Sequence, residues 1–355
     1  MRRILSIGLA VVLLAGVVIA LLRGHGSSHR TTTVHGVIGS EKEAFFADPA
    51  VRKAFARDGL TVEVDSAGSR QIATSVDLSR YDFAFPSSAP AADRIQQQRH
   101  VTARYAPFAS PMAIATFQPI ADLLAGAGVA KRQGPVWTFD VSRYLGLVAR
   151  HTRWDRLPHN TAYPVRRDVL VSTTDPRSSN SAAMYLAIAS YVANGDAVVR
   201  GAAEERRVLP TLTGLFVDQG YTDNTTEGPF ADYLSLGMGK APLVCVYEAQ
   251  FVDAAVRNLL KAGMVLMYPT PTVQSRHTLI PFDDGGDRVG RLLTSDPELQ
   301  RLAALHGFRT ADPARFAAVT ADHHVPVRTD LIDVVDTPSY DTLEHLLAGV
   351  AKAYG

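Results

Sequence analysis

The 355-residue chain has one cysteine, Cys245, within the apolar run Pro242–Tyr247. A single thiol excludes an intrachain disulfide, a cysteine zinc cluster and a CxxC redox pair. It is expected to be a small buried hydrophobe. Excess charge is missing too: 36 Lys+Arg against 35 Asp+Glu leave a formal +1, which argues against a nucleic-acid partner. With 46% hydrophobic and 20% charged residues, the composition rules out a chain disordered throughout. No repeat or low-complexity tract stands out, and the catalytic signatures fail one by one. There is no GxSxG elbow, and Gly237-Met-Gly-Lys240 lacks the earlier glycine and following hydroxyl of a phosphate loop. Gly126-Ala-Gly128 lacks the third glycine of a dinucleotide fingerprint, and His323-His324 are adjacent where zinc helices need HxxxH. Asp283, Asp284 and Asp287 around Gly285-Gly286 read as a turn. No enzyme, cofactor or metal site is expected.

What is present begins with a long apolar run. Arg2 and Arg3 precede Ile4–Leu22, long enough as a helix, at about 1.5 Å per residue, to reach across roughly 28 Å of bilayer core. A cleavable signal core is usually shorter, about 7–15 residues, so an uncleaved single-pass anchor is favoured over a signal cleaved near Val18-Ile19-Ala20. No cysteine follows to carry a lipid. Basic residues at the amino end favour a cytoplasmic N-terminus, with the remainder outside: membrane-held, or secreted if cleaved.

From Val34 onward, short apolar strands alternate with helices, an α/β pattern of about two domains' length. Strands are expected at 34–38, 60–64, 81–85, 168–172, 243–247 and 263–268, and helices at 182–193, 248–261, 287–293, 296–306, 313–319 and 340–353. Stretches 130–164 and 196–240 read as insertions or irregular surface structure. Strands one to three lead into Gly39-Ser40, Gly68-Ser69-Arg70 and Ser87-Ser88. A later strand leads into Thr173-Thr174, Arg177 and Ser178-Ser179-Asn180-Ser181. Open α/β sheets bind ligands beyond the carboxyl ends of their strands. Each serine reads equally as a helix N-cap, which serine favours; their recurrence at several strand ends favours a site. Arg70 and Arg177 are the nearby cations, and Glu248 after Tyr247 is either a cleft acceptor or a first-turn acid.

In order and spacing, these motifs resemble those of the type II periplasmic substrate-binding proteins of phosphate, sulfate and molybdate importers. The matches are Gly39-Ser40, Ala67-Gly68-Ser69, Tyr81-Asp-Phe-Ala-Phe-Pro-Ser-Ser-Ala-Pro90 and Ser178-Ser-Asn-Ser181. Weaker ones are Tyr144–Leu157 with Trp154, and Val246-Tyr247. The resemblance implies a two-lobed clamp behind a membrane segment and tether (1–33). One lobe would span 34–116 plus 264–355 and the other 117–263, hinged near 111–117 and 264–271. It implies a ligand in the cleft, delivered to an ABC-type permease. Ser88 stands where phosphate binders commonly carry an acid, and Thr174 where they carry an arginine. A fully ionised oxyanion held by neutral donors is therefore expected over phosphate, with room for an organic solute. The alternative function is a membrane-tethered sensory or scaffold protein whose clamp recruits a partner.

Overall fold

The computed structural model describes residues 31–217, 219–220, 223–331 and 333–354. The apolar run Ile4–Leu22 lies outside them, and no helix among the described residues is long and apolar enough to cross a membrane.

Three parallel strands begin the fold: β1 (Thr32–Gly39), β2 (Leu60–Ala67) and β3 (Phe83–Phe85), in the order β2-β1-β3. Buried Val34, Val37 and Ile38 fix β1 in the core. Gly36 is required there, since a Cβ would lie 2.0 Å from the Phe83 ring. β3 is shorter than expected and starts at Phe83; the Asp82 N–H still donates to the His35 carbonyl at 2.8 Å, but the His35 N–H is taken by Asp82 Oδ2 at 2.7 Å.

The long strand β4 (Tyr105–Phe117) joins the two halves of the sheet. As far as Pro111 it pairs with β9 (Gln274–Pro281), which continues to β3. From Met112 it pairs with β7 (Leu243–Tyr247) and, from Ile114, with β8 (Met264–Thr270). β8 then meets β6 (Val136–Asp140), and β6 meets β5 (Ala130–Gln133). A two-residue strand, β10 (Arg309–Thr310), pairs with β4 near Ala109.

Several sequence expectations need correction. Residues 168–172 form no strand; there are only isolated bridges, Asp168 to Arg153 and Ser172 to Val244, and the Val171 N–H is taken by the Tyr144 hydroxyl at 2.9 Å. The stretches 130–164 and 196–240 are not irregular. They hold β5, β6 and the helices Val141–Ala149, Ala202–Phe216 and Glu227–Ser235. Pro210 inside Ala202–Phe216 disguises that helix. The helix from Glu248 stops at Val256, with Asn258 in the left-handed region at φ 58°. Asp283 extends the next helix to Asp284–Ser295 by accepting from the Gly286 N–H at 2.8 Å.

The terminal helix Tyr340–Ala351 packs on Ala202–Phe216, with Gly349 against Leu209 and with Leu343, Leu346, Leu347 and Val350 buried. Cys245, in β7, is 3% exposed, and burial pushes its thiol pKa up to about 12.

Candidate functional site: a closed polar cleft

The loops after β1, β2 and β3 meet at Ser87. Ser69 Oγ donates to Ser87 Oγ at 2.8 Å and accepts from the Ser87 N–H at 2.8 Å. Ser87 Oγ donates in turn to Glu41 Oε1 at 2.5 Å. The turn Ser40–Lys42 sends its side chains inward: Ser40 is buried and Lys42 wholly so. Lys42 Nζ bonds Glu41 Oε1, reaches Ser87 Oγ at 3.1 Å and lies 3.2 Å from His277 Nδ1. Simple capping does not describe these serines. Gly68 is the N-cap before Ser69, its N–H donating to Gln71 Oε1 at 3.1 Å, and Ser88 caps Ala89–Arg99 without a side-chain bond.

The other half supplies a facing set. Thr174 Oγ1 and Ser181 Oγ are 2.8 Å apart, and Ser179 Oγ is 2.9 Å from Ser181 Oγ. Asn180 Nδ2 donates to the Tyr247 hydroxyl at 2.9 Å and lies 3.4 Å from Ser275 Oγ, which donates to the Ser87 carbonyl. Ser179 is the N-cap of Asn180–Ala193 but makes no side-chain capping bond. The two halves touch: a Cβ on Gly68 would lie 2.5 Å from the Ser178 carbonyl oxygen, so only glycine fits.

Four sequence candidates have other partners. Arg70 Nε donates to Glu344 Oε1 at 2.8 Å, and its Nη1 to the Pro176 carbonyl. Arg177 pairs with Asp175 through Nε at 2.9 Å. Ser178 Oγ donates to Asn224 at 2.8 Å. The Glu248 carboxylate, fully buried, is held by Arg309 at 2.6 and 2.8 Å and by the Tyr268 hydroxyl.

Glu41, Lys42, Ser275 and His277 escaped the sequence reading. Glu41 reads as part of the turn after the first strand and Lys42 as the start of a helix, and β9 carried no motif. Among neutral donors only, a charged pair was unexpected. Burial penalises the Glu41 carboxylate, but Lys42 and His277 outweigh it and hold its pKa below the usual range. Burial also lowers Lys42, against the pull of Glu41. Burial and then Lys42 push His277 down to about 4, leaving it neutral. Burial, with Glu41 nearby, raises the Tyr247 hydroxyl well above its ordinary value.

A sheet crossed by one long strand, with polar loops from both halves closing on each other, is the architecture of the type II periplasmic binding proteins, and the chain has that fold. Similar solved structures include the sulfate-binding protein SubI of Mycobacterium tuberculosis H37Rv, at 18% identity over 83% of this chain and 92% of that one, TM-score 0.51. A periplasmic thiamin-binding protein aligns at 12% identity over 93% and 98%, TM-score 0.61. Iron-bound HitA of Pseudomonas aeruginosa aligns at 12% over 91% and 99%, TM-score 0.56. No protein-family model and no curated protein matches the chain. The ligands in these names differ, so the fold does not choose among them.

Proposed function

We propose that the chain is an exported solute-binding protein that captures a small oxyanion between its two halves, without catalysis, and presents it to an ABC-type permease. The observation that carries this reading is the convergence of buried hydroxyl and amide donors from both sides of the cleft. Ser69 and Ser87 stand on one side, and Thr174, Ser179, Asn180, Ser181 and Tyr247 on the other. Their hydroxyls bond largely to one another, and a hydroxyl rotates freely enough to turn toward a ligand. The first turn of Asn180–Ala193 adds unpaired N–H groups and the positive end of a helix dipole. Lys42 adds a buried amine to the first side. The membrane segment at Ile4–Leu22 belongs to the same proposal: it would hold the clamp outside the cytoplasm.

Titration calorimetry of Ser69→Ala and Ser179→Ala with sulfate, molybdate and phosphate tests the site. A charge-assisted bond is worth about 1.5–3 kcal/mol, so each change is expected to weaken binding roughly tenfold to a hundredfold. Unchanged affinity in both, for an anion the parent binds, would refute the placement.

A further inference from the structure

We propose that Lys42 Nζ, Ser87 Oγ and His277 Nδ1 form an anion subsite, and that the Glu41 carboxylate fills it until a ligand displaces it. The proposal rests on reading the cleft as an anion site and names the group that competes for it.

Glu41 Oε1 takes all three contacts: the Lys42 ammonium, the Ser87 hydroxyl at 2.5 Å and His277 Nδ1 at 3.2 Å. An ammonium, a hydroxyl and a ring nitrogen around one oxygen are what a bound oxyanion would need. The arrangement is buried, with the Glu41 side chain 4% exposed and those of Lys42 and His277 fully enclosed. Neighbours in sequence do not face each other on an α-helix; here the tight turn Ser40–Lys42 aims both charges at one point. Gly39 keeps room for the folded-back carboxylate, since a Cβ there would lie 2.8 Å from both Glu41 oxygens and 2.2 Å from Ser87 Oγ.

Stability alone does not call for this pair, because two buried ions lose hydration that an apolar pair would not. A buried ammonium does require an anion, and a tethered carboxylate serves at high local concentration when no ligand is present. A way out exists. Glu41 also lines a groove of about 410 Å³ with Ser40, Glu227, Phe230 and Gln250. Glu43, Asp253 and Glu227 line the same groove, and burial followed by Glu41 and Glu43 already pushes the Glu227 carboxyl up to about 7, so a displaced Glu41 meets acidic side chains there and is driven back when the ligand leaves. His277 Nε2, on the far side of the ring, has no hydrogen-bond partner among the described residues, so only Nδ1 takes part.

Glu41→Gln keeps the volume and removes the competing charge. In calorimetry with sodium sulfate and sodium phosphate, it is expected to bind at least tenfold more tightly than the parent. Glu41→Ala, which opens a carboxylate-sized space, is expected to gain thermal stability from formate that the parent does not. Glu41→Gln combined with Lys42→Met is expected to lose both gains. Equal or weaker binding by Glu41→Gln overturns the proposal, as does a gain that survives loss of Lys42. So does the absence of any anion response in both single variants. If the parent binds no oxyanion while the single variants respond to sulfate or formate, the internal anion stands and the oxyanion-carrier reading falls. Should Glu41→Gln not fold in chloride, recovery in sulfate at equal ionic strength supports the proposal, and no recovery overturns it.

Discussion

His277 shows how burial changes the meaning of a residue. Its pKa falls to about 4 in the folded chain, against an ordinary value of 6.5. The unfolded chain therefore binds more protons between those values, so folding stability should fall as pH drops through that window. The expected loss is on the order of 3 kcal/mol. Urea unfolding at pH 7 and pH 5 should show about 2 kcal/mol of that loss, and His277→Gln should flatten the difference. Glu248 gives a second expectation: Arg309→Ala strands a fully buried carboxylate and should cost about 3–5 kcal/mol in denaturant unfolding. At this scale the sequence was half legible. Ser69 and Ser87 declared themselves because small hydroxyl residues after strands are informative wherever the strands go. Glu41, Lys42 and His277 did not, because their meaning comes from enclosure, which depends on loops far apart in sequence.

Among elements, β1, β2, β7 and most helices were legible from their apolar periods and flanking glycines. β4 was not: only 111–117 was expected to be extended, from the resemblance, because Pro107 and Pro111 interrupt a run that nonetheless pairs on both sides. The helix Ala202–Phe216 was hidden by Pro210, whose cost is tolerated once Leu212, Leu215 and Phe216 are buried. The terminal helix rests on that same element, and its Leu347 is 1% exposed. Leu347→Ala should therefore cost about 2–5 kcal/mol, read from a thermal or urea melt.

For the whole molecule, Gly68 lies against the Ser178 carbonyl; in the proposed clamp this contact would belong to the closed form, with β4 and β8 as the strands about which it would open. A ligand favours closure only through contacts that the open form lacks. Gly68→Ala places a methyl group against the Ser178 carbonyl and should hold the halves apart. Small-angle scattering of residues 31–355 is expected to give a larger radius of gyration for this variant than for the parent. An unchanged radius would mean that the loops yield locally and the halves do not swing.

The lone thiol of β7 gives this architecture a clock. Cys245 is enclosed at the strand that pairs with the second part of β4, and its high pKa leaves almost no thiolate at neutral pH. A thiol reagent can reach it only when that part of the sheet comes undone, and there is no other sulfhydryl to blur the signal. Its modification rate in native buffer thus measures how often the central sheet opens. If the two halves swing as rigid bodies, that rate should ignore the swing altogether.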